Sequence, residues 1–517
     1  MNTRNLILAF VLTFLFLFVY ELFVYRPPAP GPTAADTLRE PVEPRPEDTS
    51  SALPSSRPAE PPAPVQLQEA GEQEPVVVVQ TPLYEMHLSG YRGELLSYTL
   101  SRYTTDGVPV ELVPPGERLG RLDPPEGRQI LWLPVVQPET LRLASGERDS
   151  LVFQGVLLPD SAPVQKVLVL QGGSYTLAGR LQVPAGPVFT LRFDAGLNPT
   201  EKNLQDDLHY FHLLVLKDKL YKVPLKKLKE PQWFSGDELH WVGARTKYFS
   251  FFFIPQGTVE RVYGRRTDDR VGFGVQLAQP VGFRTYFGPF DYFIMKSHEP
   301  VLAVAYDFGN AIISPFSKGI LYALKFLHQY IPNYGWVIVV FSLLMKLLFW
   351  PLTYRGLRSM QRMQELKPKI DAIRKMYKDD PQRMQQEIME LYRKYQVNPF
   401  AGCLPLLLQL PIFWALYQIL KMSIDFRGAP WILWIRDLSV KDPFYILPIL
   451  MGLTSMGQAL LQPAQDRQSR MLALFMPAFI TLIFLNFPAG IVLYWLWYNL
   501  FSLVESLLLR RARNKEE

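Results

Sequence analysis

"FSLLMKLLFW", residues 341–350, places one lysine, Lys346, inside an otherwise apolar run. The surrounding stretch, 334–352, has the length of a membrane-crossing helix, which takes about 20 apolar residues. A charge near the centre of such a span costs roughly 2.5–3.5 kcal/mol on insertion scales. Two readings of Lys346 stand open at this point. Its ammonium snorkels to the nearer interface, or it faces polar surroundings inside a bundle.

Working outward, five more runs have the same character: 6–24, 403–421, 444–461, 471–487 and 490–509. The chain therefore reads as a membrane protein with an α-helical bundle of six transmembrane helices. The first run, within 1–26, is expected to be an uncleaved signal anchor. Its apolar core exceeds the roughly 7–15 residues of a signal peptide, and no small-x-small site precedes "YRPPAP". The tight "NFPAG" link makes the last two spans an antiparallel hairpin. Basic residues orient the whole. Residues 353–402 carry eleven Lys/Arg, the loop "QPAQDRQSR" two Arg, and the tail 510–517 four basic residues. The positive side is the cytoplasm, so both termini are expected there and the middle of the chain on the far side.

That middle differs in composition. Residues 27–75 are rich in Pro, Glu, Ala and Ser, and read as a disordered tether. From 76 to 305, short β-branched runs such as "KVLVL" and "YTLAGRLQV" alternate with Gly and Pro turns. This spacing predicts an all-β sandwich of many strands. Residues 306–332 contain an amphipathic helix expected to lie on the far membrane surface. The five later spans, 333–509, enclose a basic helical hairpin at 355–400, with Pro381 placed to start its second arm. The hairpin has five methionines, whose flexible side chains suit variable apolar partners. An ordinary hairpin core is the plainer reading of them.

The net charge of +6 over 517 residues does not suggest a nucleic-acid binder. The single cysteine, Cys403, excludes internal disulfides and reads as a small residue at a helix start. No GxSxG, Walker A or CxxC pattern occurs, so neither catalytic residues nor a metal or other cofactor is expected. His209 and His212 stand three apart, which alone is a weak metal signal, and a surface pair is the plainer reading.

Polar residues stripe several spans at helical spacing. Ser342 precedes Lys346 by one turn. Thr454, Ser455, Gln458 and Gln462 follow one another in the fourth span, and Trp495, Asn499 and Ser502 share a face of the sixth. Gln409 and Thr481 stand in the third and fifth. Polar groups avoid lipid, so the stripes face one another, across either a polar cavity or a dry hydrogen-bonded core. Glu505 is judged too near the cytoplasmic end to neutralise Lys346, which is expected to be unpaired and to attract acidic peptide segments. Pro405, Pro411, Pro448 and Pro477 bend their helices and leave room for a groove.

The runs "IPNYGWVIVVFSLLMKLLFWPLTYRGLRSMQRMQELKPKI", "VNPFAGCLPLLLQLPIFWALY", "FRGAPWILWIRDLSVKDPFYILPILMG" and "FLNFPAGIVLYWLWYNL" together resemble the YidC/Oxa/Alb family of membrane protein insertases. "NTRNLILAF", "WVGARTKYF" and "YFGPFDY" resemble its Gram-negative type. The resemblance implies a five-helix insertase core, an N-terminal anchor and a periplasmic β-supersandwich. It implies insertion and assisted folding of integral membrane proteins, alone or with the Sec translocon, through a hydrophilic groove. The family's groove cation falls on Lys346, where many members carry Arg; charge is kept and bidentate pairing lost. Its groove threonine falls on Ser342, and its aromatic pair on Tyr494 and Trp495. With the stripes, the expected groove is Lys346, Ser342, Gln409, Ser455, Gln458, Thr481, Tyr494, Trp495, Asn499 and Ser502. The recruiting surface expected on the hairpin is Met363, Lys369, Arg374, Lys375, Lys378 and Met384. Implied partners are nascent membrane proteins, the Sec translocon, the ribosome and its targeting receptor, and the phospholipid bilayer, with no direct nucleic-acid binding beyond a ribosome contact. The implied location is the bacterial inner membrane. The rival reading, a small-molecule or ion transporter, calls for related repeats around a midplane site; the later spans show none.

Overall fold

Nineteen strands are found among the described residues, and many of them bury alternate side chains. Strand Ala162–Gln171, for example, buries every second residue from Val164 onward, as a strand covered on one face does. The computed structural model describes residues 74–134, 138–397, 404–461 and 467–513. The expected signal anchor, all but the last two residues of the tether, Cys403, the start of the "QPAQDRQSR" loop and the last four residues of the tail lie outside them. Val76–Glu517 makes one compact unit.

Nine strands form one antiparallel sheet, from Leu220–Pro224 at one edge to Gln129–Trp132 at the other. A five-stranded sheet that includes Phe189–Phe193 and Arg270–Leu277 lies against it. A second five-stranded sheet runs from Val108–Glu111 to Thr140–Arg142. Strand Phe249–Gln256 is buried on both faces over its first six residues, because both sides are covered. Phe251 meets Phe193 and Phe273 with ring centroids 4.8 and 5.3 Å apart. On the opposite face Phe252 meets Trp241 at 5.0 Å, and Trp241 Nε1 donates to Val301 O at 3.2 Å. Inside the sandwich Lys166 is buried and donates to Gly93 O and Gly120 O at 2.6 and 3.0 Å. Burial pulls its ammonium down to about 8.

Helices follow the strands. The amphipathic helix α1 is Ser314–His328, and Phe316, Tyr322 and Phe326 stay exposed on it. Helix α2, Tyr334–Glu365, is 32 residues long. Asn333 caps it, accepting from Gly335 N and Trp336 N. The sequence ends the span at 352 and opens the hairpin at 355; instead one helix runs through Pro351 and across both bounds. Thr353 Oγ1 bonds the Phe349 and Trp350 carbonyls one turn back, so its hydroxyl is satisfied within its own helix. The break comes at Leu366, with Pro368 in the first turn of α3, Lys367–Met376. Helix α4, Pro381–Lys394, opens on Asp380, whose side chain accepts from Arg383 N. Then come α5, Leu404–Met422, α6, Ile446–Leu461, α7, Arg467–Phe484, and α8, Ala489–Arg513. Among the described residues two segments, Tyr334–Tyr354 and Ala489–Leu508, are long and apolar enough to cross a membrane; those in α6 and α7 are shorter.

The β domain sits on the helices through charges that lie far apart in sequence. Arg427, in the loop after α5, reaches Glu201, and Lys421 and Lys247 flank Asp206 at 3.4 and 3.0 Å. Burial alone would raise the Asp206 carboxyl; the two ammonium groups hold it below the usual range. Its neighbour Asp207 lies deeper, and burial pushes it up to about 6.

Candidate functional site

Helix α8 gathers the polar residues of three other helices. From α5, Gln409 Nε2 donates to Tyr494 Oη at 2.6 Å. From α6, Ser455 Oγ accepts from Asn499 Nδ2 at 2.6 Å and donates to its own Met451 carbonyl. From α2, Lys346 Nζ donates to Ser502 Oγ at 2.8 Å. Ser342, Lys346, Gln409, Tyr494, Asn499 and Ser502 are all buried. Residues 494, 498, 499, 502 and 505 fall on adjoining faces of α8 by its 3.6-residue period, which lets one helix serve three neighbours.

The expectation of an unpaired Lys346 is corrected. Lys346 Nζ lies 2.6 Å from Glu505 Oε2, and the two side chains are only 8% and 10% exposed. The ammonium also stands 5.4 Å from the Tyr498 ring centroid. Helical depth alone hides this pair. Gly490 faces Ile338, so Lys346 is level with about residue 498 and Glu505 lies roughly 10 Å further along. The lysine stem leans toward the C-terminal end of α2 and the glutamate reaches back. Backbone positions alone omit the reach of two long side chains. The signal for Glu505 was present: it lies one turn beyond Ser502 on the same stripe.

Other expected groove residues behave differently. Ser342 Oγ and Thr481 Oγ1 bond carbonyls of their own helices, Val339 and Pro477, and join no interhelical link among the described residues. Thr481 packs directly on Gly452 of α6, where a Cβ would collide with its hydroxyl. Gln458 is half-buried, one turn from Ser455. Trp495 turns to Phe413 and Phe484, at 5.4 and 5.5 Å, and so belongs to an aromatic wall rather than to the polar network. His209 and His212 part company: His209 follows the short helix Leu204–Leu208 with its Nδ1 2.7 Å from Gln205 O, whereas His212 begins a strand.

The hairpin divides its expected surface. Met363 is buried with Leu366, Ile370, Tyr392 and Val397, so it builds the hairpin's own core and offers nothing to a partner. Lys375 and Lys378 are exposed, Met384 is half-buried, and Lys369 bonds Tyr395. Arg374 stands 3.9 Å from Asp371. Among the hairpin methionines whose side chains are described, Met376 and Met389 are exposed.

Residues 326–517 match the family described as 60Kd inner membrane protein. A membrane protein insertase YidC of Geobacter metallireducens is 31% identical over 540 residues, covering 98% of each chain. That of Campylobacter jejuni is 44% identical over 233 residues, 45% of this chain and 44% of its own. Among solved structures, an active YidC insertase with its first transmembrane domain resolved is 19% identical with a TM-score of 0.39, covering 84% of this chain and 94% of that one.

Proposed function

The chain belongs to the YidC family of membrane protein insertases, and from that premise we propose how it works. It is an inner-membrane insertase rather than an enzyme, and its substrates are nascent membrane proteins. In our reading six helices span the membrane, both termini are cytoplasmic, and the β domain at 76–305 is periplasmic. The anchor at 1–26 and the tether at 27–75 lead into that domain, and α1 lies on the periplasmic surface. The α3–α4 hairpin recruits the client, the ribosome or the targeting receptor, and the Sec translocon is a partner in the same membrane.

The observation that carries the reading is the polar seam along α8, with a buried lysine at its centre. A client's hydrophilic segment cannot enter lipid bare, since an unpaired polar group loses several kcal/mol of hydration on transfer to an apolar medium (roughly 4–8 in cyclohexane). Lys346, Ser502, Asn499, Ser455, Gln409 and Tyr494 offer replacement partners at membrane depth. The client's apolar segment moves out over α6 and α7, where Leu453, Phe475 and Leu482 are exposed. Membrane potential adds about 2.3 kcal/mol per charge per 100 mV for acidic tails. The work is transfer between phases and calls for no cofactor.

Reconstitution in liposomes tests this. A short client with one span and a hydrophilic N-terminal tail should insert with the parent chain and poorly with Lys346→Ala. Equal insertion by both would remove Lys346 from the path.

A further inference from the structure

The lysine of the seam carries its own counter-ion. Lys346 touches α8 at three successive turns of one stripe: the Tyr498 ring, Ser502 Oγ and Glu505 Oε2. The second oxygen of that carboxylate, Oε1, is buried and has no hydrogen-bond partner among the described residues. A buried ion pair offsets its desolvation only when its remaining lone pairs are satisfied. This one is left a bond short, which is the state expected of a contact made to be exchanged.

We infer that Glu505 is the resident occupant of the Lys346 site, and that it sets how strongly the insertase prefers acidic clients. The inference rests on the reading of Lys346 as part of the client's path. With Glu505 in place the pair is neutral toward an entering segment. An incoming carboxylate has to displace an existing one, so it exchanges a contact rather than gaining one, and the preference for acidic tails is small. A neutral segment keeps the pair intact, and its backbone N–H groups meet the idle Oε1. Glu505 is thus a specificity-determining residue that acts through Lys346, and it allows clients with acidic and with neutral tails to use the same seam.

The test compares two clients that differ only in their tails, one with aspartates and one with asparagines at the same places. The readout is the ratio of acidic to neutral insertion in liposomes without a potential. Glu505→Gln keeps the side chain's shape and removes the competitor, so the ratio should rise on the order of tenfold, the scale of one charge-assisted contact. Glu505→Asp keeps the charge but shortens the arm; it should shift the ratio the same way by less, and it serves if the glutamine variant fails to fold. An equal fall for both clients would mean that Glu505 only supports the structure, and would overturn the inference. An unchanged ratio, with Lys346→Ala still impairing insertion, would overturn the inference and leave the role of Lys346 standing. If Lys346→Ala has no effect either, both are overturned.

Discussion

Arg427 Nε donates to Glu201 Oε1 at 2.7 Å across 226 residues of chain. The same guanidinium reaches Thr104 O at 3.0 Å and Thr105 Oγ1 at 2.6 Å, and its side chain is 8% exposed. One planar fork therefore joins two parts of the β domain to the loop after α5. Lysine cannot reproduce that geometry. Arg427→Ala should cost about 3–5 kcal/mol, because Glu201 is then left half-buried without its partner. Arg427→Lys should recover only part of it. Thermal unfolding in detergent measures both, and an unchanged melting temperature for the alanine variant would mean that the contact carries no load.

Nothing in the sequence announces that clamp. Strands were legible because alternation and turn residues are local signals, as in "KVLVL". Helix positions were legible because runs such as 490–509 are long and apolar. The Lys346 stripe was legible because Asn499 and Ser502 recur at helical spacing. Contacts set by tertiary reach were not. Arg427 and Glu201 meet only after both regions fold. Glu505 was judged by its depth, and Met363 was grouped with exposed methionines because composition does not tell which face of a helix is covered.

The Lys346–Glu505 pair makes a second, energetic prediction. Lys346→Met leaves a buried carboxylate alone and should destabilise by about 3–5 kcal/mol. Changing both, as Lys346→Met with Glu505→Gln, should cost much less than the single change. A double-mutant cycle on unfolding free energies reads the coupling directly. Additive effects would show that the pair does not interact in the folded protein.

Lys166 predicts a pH dependence. Its folded value of about 8 lies below the ordinary 10.5. Between those values the unfolded chain binds the proton and the folded chain does not, so stability rises as pH rises through that window. By about 1.4 kcal/mol per unit the full gain is on the order of 3 kcal/mol. Lys166→Met removes the titration, so the parent should gain on the variant from pH 8 to pH 10. Parallel melting curves across that range would contradict the burial argument.

The hairpin methionines separate by role. Met376→Gln and Met389→Gln alter exposed side chains and should leave the fold intact while weakening capture of ribosome-bound nascent chains. Met363→Gln buries a polar group in the hairpin core and should cost roughly 1–3 kcal/mol. Circular dichroism with a co-sedimentation assay distinguishes the two. Equal loss of helix in all three variants would refute the division.

Helix α2 runs unbroken from its Asn333 cap to Glu365. At 1.5 Å per residue its 32 residues make a rod of about 48 Å. Lys346 sits partway along it, and the hairpin hangs from its free end. A rod held at one end is a lever. A tilt of some five degrees about the cap displaces the far tip by about 4 Å and the level of Lys346 by less than half of that. If the helix stays straight through Pro351, a load at the hairpin would reach the seam as a movement less than half as large.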